Sequence, residues 1–353
     1  MATLYDKIWT RGELLQYASD ISQLGGVRLL TLDDGHARGL RVAQFRTGSG
    51  LSFDVLLDRG MDIGLAEHNG RPVGWRSAVG ERHPMYYTAK GLSGFLRAFH
   101  GGLVVGCGLD NVGAVNVDGG EELPLHGDLS NLPAAQVSYG GEWLGDEYRM
   151  WVQGQMRWAA VFGPNLLLTR RISALLGGNA LVIADTIENQ GHGRTPYQVL
   201  YHCNFGFPLL SPDSELWVDS TVRPRDAEAS KGLEEYNRFQ APAERYPEQV
   251  FYHQVKADGD GYGRATLANR ALGYGAYVRF RMAELPNMYQ WKMMERGTYV
   301  LGLEPASSGV EGRAKDREQG TLRFLEPGAS VELRVEIGVL PDRESLEAYR
   351  AGA

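Results

Sequence analysis

His202 sits in the run YQVLYHCNFGF, with Asn204 and Phe205 just after it. A strand end that presents an imidazole beside an amide and an aromatic ring suits a polar, ring-shaped ligand. The competing reading is a core histidine satisfied by a backbone carbonyl. Alternation along a strand sends Cys203 to the side opposite His202, so Cys203 reads as core packing. A second histidine, His126, lies beside Gly127 in the loop LPLHGDLSNLPA, bracketed by Pro124 and Pro133, and Asn131 is on the same loop. A loop histidine next to glycine is a better functional candidate than one on a strand. Asp58, Arg59 and Asp62 cluster at a turn and read as a structural ion-pair knot in preference to a ligand contact. Residues 91–113 are glycine-rich, but a dinucleotide fingerprint needs a preceding strand and a following helix, and neither pattern is there.

These residues need elements to place them. Residues 181–187 alternate and are rich in β-branched types, Asn189-Gln190-Gly191 supplies turn chemistry, and a second strand over 197–201 delivers His202 at its far end. At the start, Thr10 and Glu13 form a capping-box pattern that opens a short helix through Ala18. Strands are expected over 27–32, 39–47 and 51–57, and Asn69-Gly70 marks a hairpin because both residues tolerate positive φ. Further strands follow through YRMWVQGQMRW, a Gly177-Gly178 hairpin, and the last third of the chain. Residues 209–245 carry proline and many charges and read as an irregular excursion with one short helix. Parallel βαβ units and solenoid-period repeats are missing. The pattern predicts an all-β protein: a large antiparallel β-sandwich with a short N-terminal helix, residues 1–353 as one domain, 1–24 as its helical lead-in.

Composition limits the function classes. The 353 residues carry 22% charged side chains and a formal net charge of −7, with no basic patch, which argues against nucleic acid. The opening MATLYDKIW lacks the pattern of a signal peptide, and no apolar run reaches the length of a membrane span. Two cysteines in so long a chain fit reduced thiols. The expectation is a cytoplasmic protein, with a homodimer as one option.

The stretch from strand through Asn-Gly-type turn to strand-borne His202 resembles that of galactose mutarotases (aldose 1-epimerases). So do the Asn69-Gly70 hairpin, the His126-Gly127 loop, the strand ending on Glu304 and the Pro327-Gly328 turn before a long alternating strand. The order of these motifs carries the resemblance, which spans about residues 25–342. It implies the mutarotase-like supersandwich and an enzyme acting on a monosaccharide or sugar derivative without metal or organic cofactor. It implies Glu304 as general base, His202 as general acid and His126 near the ring oxygen. It also implies substrate contacts from Arg97 or His100, from Asn131, Asn204 and Glu248, and from Trp291 and Lys292 one strand before Glu304. A Trp face packs against a pyranose ring, and a Lys reaches a hydroxyl or acidic substituent. The chain departs from the family pattern at Asn204, where the family has its aromatic, and at Pro305.

Anomer exchange needs a base to take the proton of the anomeric hydroxyl and an acid to protonate the ring oxygen, with the roles reversed on reclosure. Two other classes compete. One is a metal-dependent sugar isomerase or lyase using His126, His202, Glu304 and His100 on Zn or Mn, although the sequence has no close His pair. The other is a carbohydrate-binding protein without turnover.

Overall fold

The computed structural model describes residues 1–350. Two antiparallel sheets face each other across one core. The smaller sheet has eight strands, running in space from Ala135–Leu144 through Glu147–Ala159, Asn165–Leu175, Ala180–Asn189, Ser330–Leu340, Tyr274–Arg281 and Tyr262–Asn269 to Ser214–Trp217. The larger has twelve. Its path runs from Ser220–Pro224 through Gln249–Val255, Asn287–Glu295, Thr298–Ala306, Thr195–Phe205, Val104–Leu109, Asp62–His68, Leu51–Leu56 and Arg41–Arg46 to Gly26–Thr31. This is the large antiparallel β-sandwich that the strand pattern predicts.

The two sheets bury their strands differently, and the difference locates the site. The Asn165–Leu175 strand alternates buried and half-buried residues, so one face meets the core and the other meets water. The Thr195–Phe205 strand is buried on both faces. Its Tyr197, Val199, Tyr201, Cys203 and Phe205 enter the inter-sheet core, while Leu200 joins a second apolar layer on the outer face of the larger sheet. That layer also holds Phe95, Phe99, Val105, Cys107, Val112, Val250, Tyr252, Tyr289 and Ala306. A sheet buried on its outer face as well as its inner one has something built on it.

At the N-terminus, Thr10 caps the helix Arg11–Tyr17 with the full capping box: the Glu13 amide donates to Thr10 Oγ1 and the Thr10 amide donates to Glu13. A small hairpin, Ala2–Leu4 with Lys7–Trp9, precedes it and was not expected from the sequence. Asn69 and Gly70 have φ of 50° and 72°, the left-handed pair a two-residue hairpin turn requires.

Residues 209–245 are less irregular than expected. Ser214–Trp217 pairs with Tyr262–Asn269 in the smaller sheet, and Ser220–Pro224 pairs with Gln249–Val255 in the larger. These strands are short and their sequence lacks strong alternation, which hid them. Their pairing ties the excursion to both sheets. Limited proteolysis is therefore expected to nick this segment without releasing a folded piece that starts near residue 246. Isolation of such a fragment with a cooperative melt would contradict the pairing's importance.

Candidate active site

His202 and Glu304 meet on the outer face of the larger sheet. Their strands, Thr195–Phe205 and Thr298–Ala306, are hydrogen-bonded neighbours, with Cys203 opposite Leu303. Each residue lies one place along from that pair, on the face away from the core. His202 Nε2 comes within 3.2 Å of Glu304 Oε1, and each side chain is 6% exposed. The contact has ion-pair distance without aligned hydrogen-bond geometry, so Glu304 Oε1 and His202 Nδ1 are both buried without a hydrogen-bond partner. Orphaned buried polar atoms cost stability and call for a reason. Gly302 is part of the reason the pair fits. A Cβ there would stand 2.6 Å from Glu304 Oε1 and 3.2 Å from His202 Cε1.

Aromatic rings wall this pair. Phe99, Trp291 and His126 have ring centroids 5.1, 5.5 and 5.7 Å from that of His202. Phe95 stacks on Phe99 at 4.9 Å and packs against His126 at 4.9 Å. Trp75 closes the other side, 5.9 Å from Phe99 and 6.2 Å from Trp291. The helix Gly91–Leu96 and the turn after it, which carry Phe95 and Phe99, are held down by buried Arg59. Its guanidinium donates to the carbonyls of Arg82, Ala98 and Ser130.

His126 is held in a defined tautomer and a costly backbone state. Its φ is +58°, in the left-handed region where a non-glycine residue is disfavoured. Its amide donates to the Gly113 carbonyl, and its carbonyl accepts from the Gly108 amide. The Gly113 amide donates to His126 Nδ1 at 3.3 Å. Nδ1 is then the unprotonated nitrogen, and Nε2 of the neutral ring carries the hydrogen.

Burial sets the protonation of all three. It pushes the Glu304 carboxyl up to about 8, helped by the neighbouring Glu248 charge and opposed by Arg225. It pulls His202 down to about 3, with His126 adding to the effect, and His126 down to about 4. Near neutral pH the proton of the Glu304–His202 pair therefore rests on Glu304, and both imidazoles are neutral.

Glu248 stands at the rim with both carboxylate oxygens engaged. Trp291 Nε1 donates to Oε2 at 2.9 Å and Arg225 Nη2 donates to Oε1 at 3.1 Å. Its position next to Trp291 makes it a brace for that ring, whereas the resemblance implied a direct hold on substrate.

Five expected contacts have other surroundings or partners. Lys292 follows Trp291 on the strand and so points the other way, where Nζ donates to the carbonyls of Glu235 and Arg238. Arg97 is exposed and belongs to a surface recess with Arg82, Tyr86 and Lys90. His100 is fully buried, both ring nitrogens lack partners, and its nearest charges are Arg59 and Arg76. Asn131 ends a 3-10 turn next to Ser130, which anchors Arg59 and Asp62. Asn204 shares the site face with His202, but its amide donates to the His202 carbonyl at 2.9 Å and its Oδ1 is buried without a partner. Among the described residues, no three His, Cys, Asp or Glu side chains are grouped as metal ligands. His126 Nδ1 accepts from the Gly113 backbone amide.

Sequence reasoning missed Phe95, Phe99, Trp75, Arg225 and Gly302. The first two had a signal, an aromatic pair at i, i+4 in GFLRAFHGG. The others become visible only once strands are registered.

The chain belongs to the family described as Domain of unknown function (DUF4432), whose model matches residues 37–339. No curated protein sequence matches it. Among solved structures it is similar to a protein from Klebsiella pneumoniae described as a "putative aldose 1-epimerase", at 26% identity and a TM-score of 0.87 over 92% of this chain and 86% of that one. A galactose mutarotase-like protein from Clostridium acetobutylicum gives 13% identity and a TM-score of 0.62 over 90% and 99%. Galactose 1-epimerase from Lactobacillus acidophilus gives 11% and 0.57 over 89% and 98%. The last two likenesses establish the fold alone, a galactose-mutarotase-like β-sandwich. Among the described residues no helix is long and apolar enough to cross a membrane.

Proposed function

We propose that this protein is an aldose 1-epimerase-like enzyme that interconverts sugar anomers, with Glu304 and His202 as the acid–base pair. The observation that supports the reading is the contact of these two side chains, 3.2 Å apart in an aromatic-walled recess, where burial keeps the Glu304 carboxyl protonated near neutral pH. Anomer exchange consumes no net proton. Passage of the Glu304 proton to His202 across the 3.2 Å contact gives the less populated, reactive tautomer, in which the carboxylate takes the proton of the anomeric hydroxyl. The imidazolium gives one to the ring oxygen, the C1–O5 bond breaks, and the aldehyde rotates. Reclosure runs the transfers backwards and restores the pair. Both oxygens sit on one carbon, so two adjacent protein groups can serve them. His126 Nε2–H would donate to the ring oxygen or a neighbouring hydroxyl, and Trp291 would pack on the pyranose face. The substrate is a monosaccharide or sugar derivative.

Anomer-resolved NMR on a panel of freshly dissolved aldoses tests the proposal directly. Failure to accelerate exchange of any of them, at enzyme concentrations that would reveal a typical turnover, would remove it. The pH dependence adds a sharper check. Above about 8 the pair loses its proton and has no donor for the ring oxygen. The rate constant kcat/KM should therefore fall about tenfold per pH unit on the alkaline side, after subtraction of the spontaneous reaction. A flat profile to pH 10 would mean that Glu304 and His202 do not share a working proton.

A further inference from the structure

Arg97 lines a recess of about 430 Å³ together with Arg82, Lys90, Tyr86, Thr88 and Ser93. That volume falls within the ~300–1,000 Å³ of small-ligand sites. Helical spacing separates the recess from the acid–base pair. Lys90, Ser93, Gly94 and Arg97 recur at intervals of three and four, so they share one face of the Gly91–Leu96 helix and its ends. Phe95 and Phe99 lie four apart on the opposite face, where they stack on each other beside His202. One short element thus walls the acid–base pair with one face and the recess with the other.

The charge in this recess has one sign. Three of its side chains are cationic and no Asp or Glu lines it, in a chain whose formal net charge is −7. Arg82 is held in place: its Nη1 donates to the Arg97 carbonyl at 2.8 Å, and its own carbonyl accepts from Arg59 Nη1 at 3.0 Å. Its Nε is buried without a hydrogen-bond partner. The Asp128 carboxylate accepts from the Tyr87 hydroxyl at 2.7 Å and stands outside the lining. Like charges gathered in one recess repel, and a fixed guanidinium with an unused N–H calls for an acceptor. Arg presents a fork of donors that fits phosphate oxygens, and Lys adds a point charge. A dianion gains more from three cations than a single carboxylate does. Thr88 and Ser93 supply hydroxyls to the same wall.

We infer that this recess binds a phosphate group, free or carried by a small metabolite, on Arg82, Lys90 and Arg97. The acid–base pair takes no part in that binding, so the inference stands independently of the anomer-exchange reading.

Calorimetric titration at pH 7.5 tests it, with inorganic phosphate, glycerol 3-phosphate and glycerol as probes. Wild-type protein should bind at least one of the two phosphates and should not bind glycerol. Equal affinity for both would mean that the phosphate group alone is recognised, and tighter binding of glycerol 3-phosphate would mean that a phosphomonoester is. Lys90→Gln and Arg97→Gln each remove one exposed cation and should each weaken binding about tenfold, the usual effect of one lost charge-assisted hydrogen bond. Arg149→Gln removes a cation from a different recess and should leave the affinity unchanged. Bound phosphate should also raise the melting temperature of the wild-type protein more than that of Arg97→Gln. No binding of either phosphate at millimolar concentration overturns the inference. So does an affinity that survives Lys90→Gln and Arg97→Gln, or one that falls as much in Arg149→Gln. Galactose or glucose displacing the phosphate would put it at the acid–base pair and would overturn the recess as well. Phosphate binding with this pattern in a protein that exchanges no anomers would refute the catalytic reading and keep the recess.

Discussion

Glu304→Gln is expected to lower anomer exchange by about 10²-fold or more while the protein stays folded and still binds sugar. Gln keeps the shape and one acceptor but takes up no proton near neutral pH. The neighbouring Gly302 leaves room for either side chain. His202→Gln should lose a similar factor, because the ring oxygen then lacks its donor. The double variant should be little worse than either single, since one shared proton needs both ends of the pair. A metal role would look different: a chelator would abolish wild-type exchange and a divalent ion would restore it.

The same substitution has a stability signature that follows from the burial of the Glu304 carboxyl. Burial holds the Glu304 carboxyl at about 8, above its ordinary 4.5. Below 4.5 the folded and unfolded states both keep the proton. Between 4.5 and 8 only the folded state keeps it, so stability falls as pH rises, and the loss is complete above 8. Gln carries no such penalty. Glu304→Gln should therefore melt higher than wild type at pH 9, and the gain should shrink towards pH 5. A variant that melts lower at pH 9 and exchanges anomers at the wild-type rate would show that Glu304 is a packing residue.

How far the sequence reached depended on whether a feature was local. The Thr10 cap, the Asn69-Gly70 hairpin and the alternating strands rest on neighbours within a few residues, and they were legible. The placement of His202, Glu304 and His126 near one another came from motif order, not from periodicity. The strand carrying His202 runs to Phe205, four residues past the expected end at 201, because both of its faces are buried and alternation fades there. Lys292 was assigned to the site by closeness to Trp291, yet adjacent strand residues point to opposite faces, so only one of the two could face it. Arg97 and His100 could not be told apart from sequence. One is exposed and the other fully buried, while Phe95 and Phe99 of the same stretch stack on each other beside the pair. Glu248 stands at the rim, and its bonds to Trp291 and Arg225 span 43 and 23 residues and depend on strand pairing.

Behind the His202 strand, on its core side, lies the largest expected effect on stability. Arg170 and Asp185 face each other across neighbouring strands of the smaller sheet, both with fully buried side chains. The guanidinium binds the carboxylate through Nε at 2.9 Å and Nη2 at 2.6 Å, and its Nη1 donates to the Gly60 carbonyl at 2.8 Å. Tyr201, next to His202 but pointing into the core, donates its hydroxyl to Asp185 Oδ2 at 2.7 Å. The network thus ties the smaller sheet to the inner face of the strand that bears the acid–base pair. Asp185→Asn would leave a guanidinium buried without its counter-charge, and the expected loss is about 3–5 kcal/mol. Arg170→Met would strand the carboxylate and should cost as much. Arg170→Met/Asp185→Leu removes both charges and should recover most of that loss, since the buried pair is held at a large desolvation cost. Urea denaturation of the four proteins measures all three quantities, with unchanged slopes as the check that folding remains two-state. If Asp185→Asn costs less than about 1 kcal/mol, water or a rearranged partner reaches Arg170, and the pair is not what clamps the sheets. If the double variant is as stable as wild type but His202 no longer sits against Glu304, the network's contribution is to position the strand, and anomer exchange should fall while the melt does not.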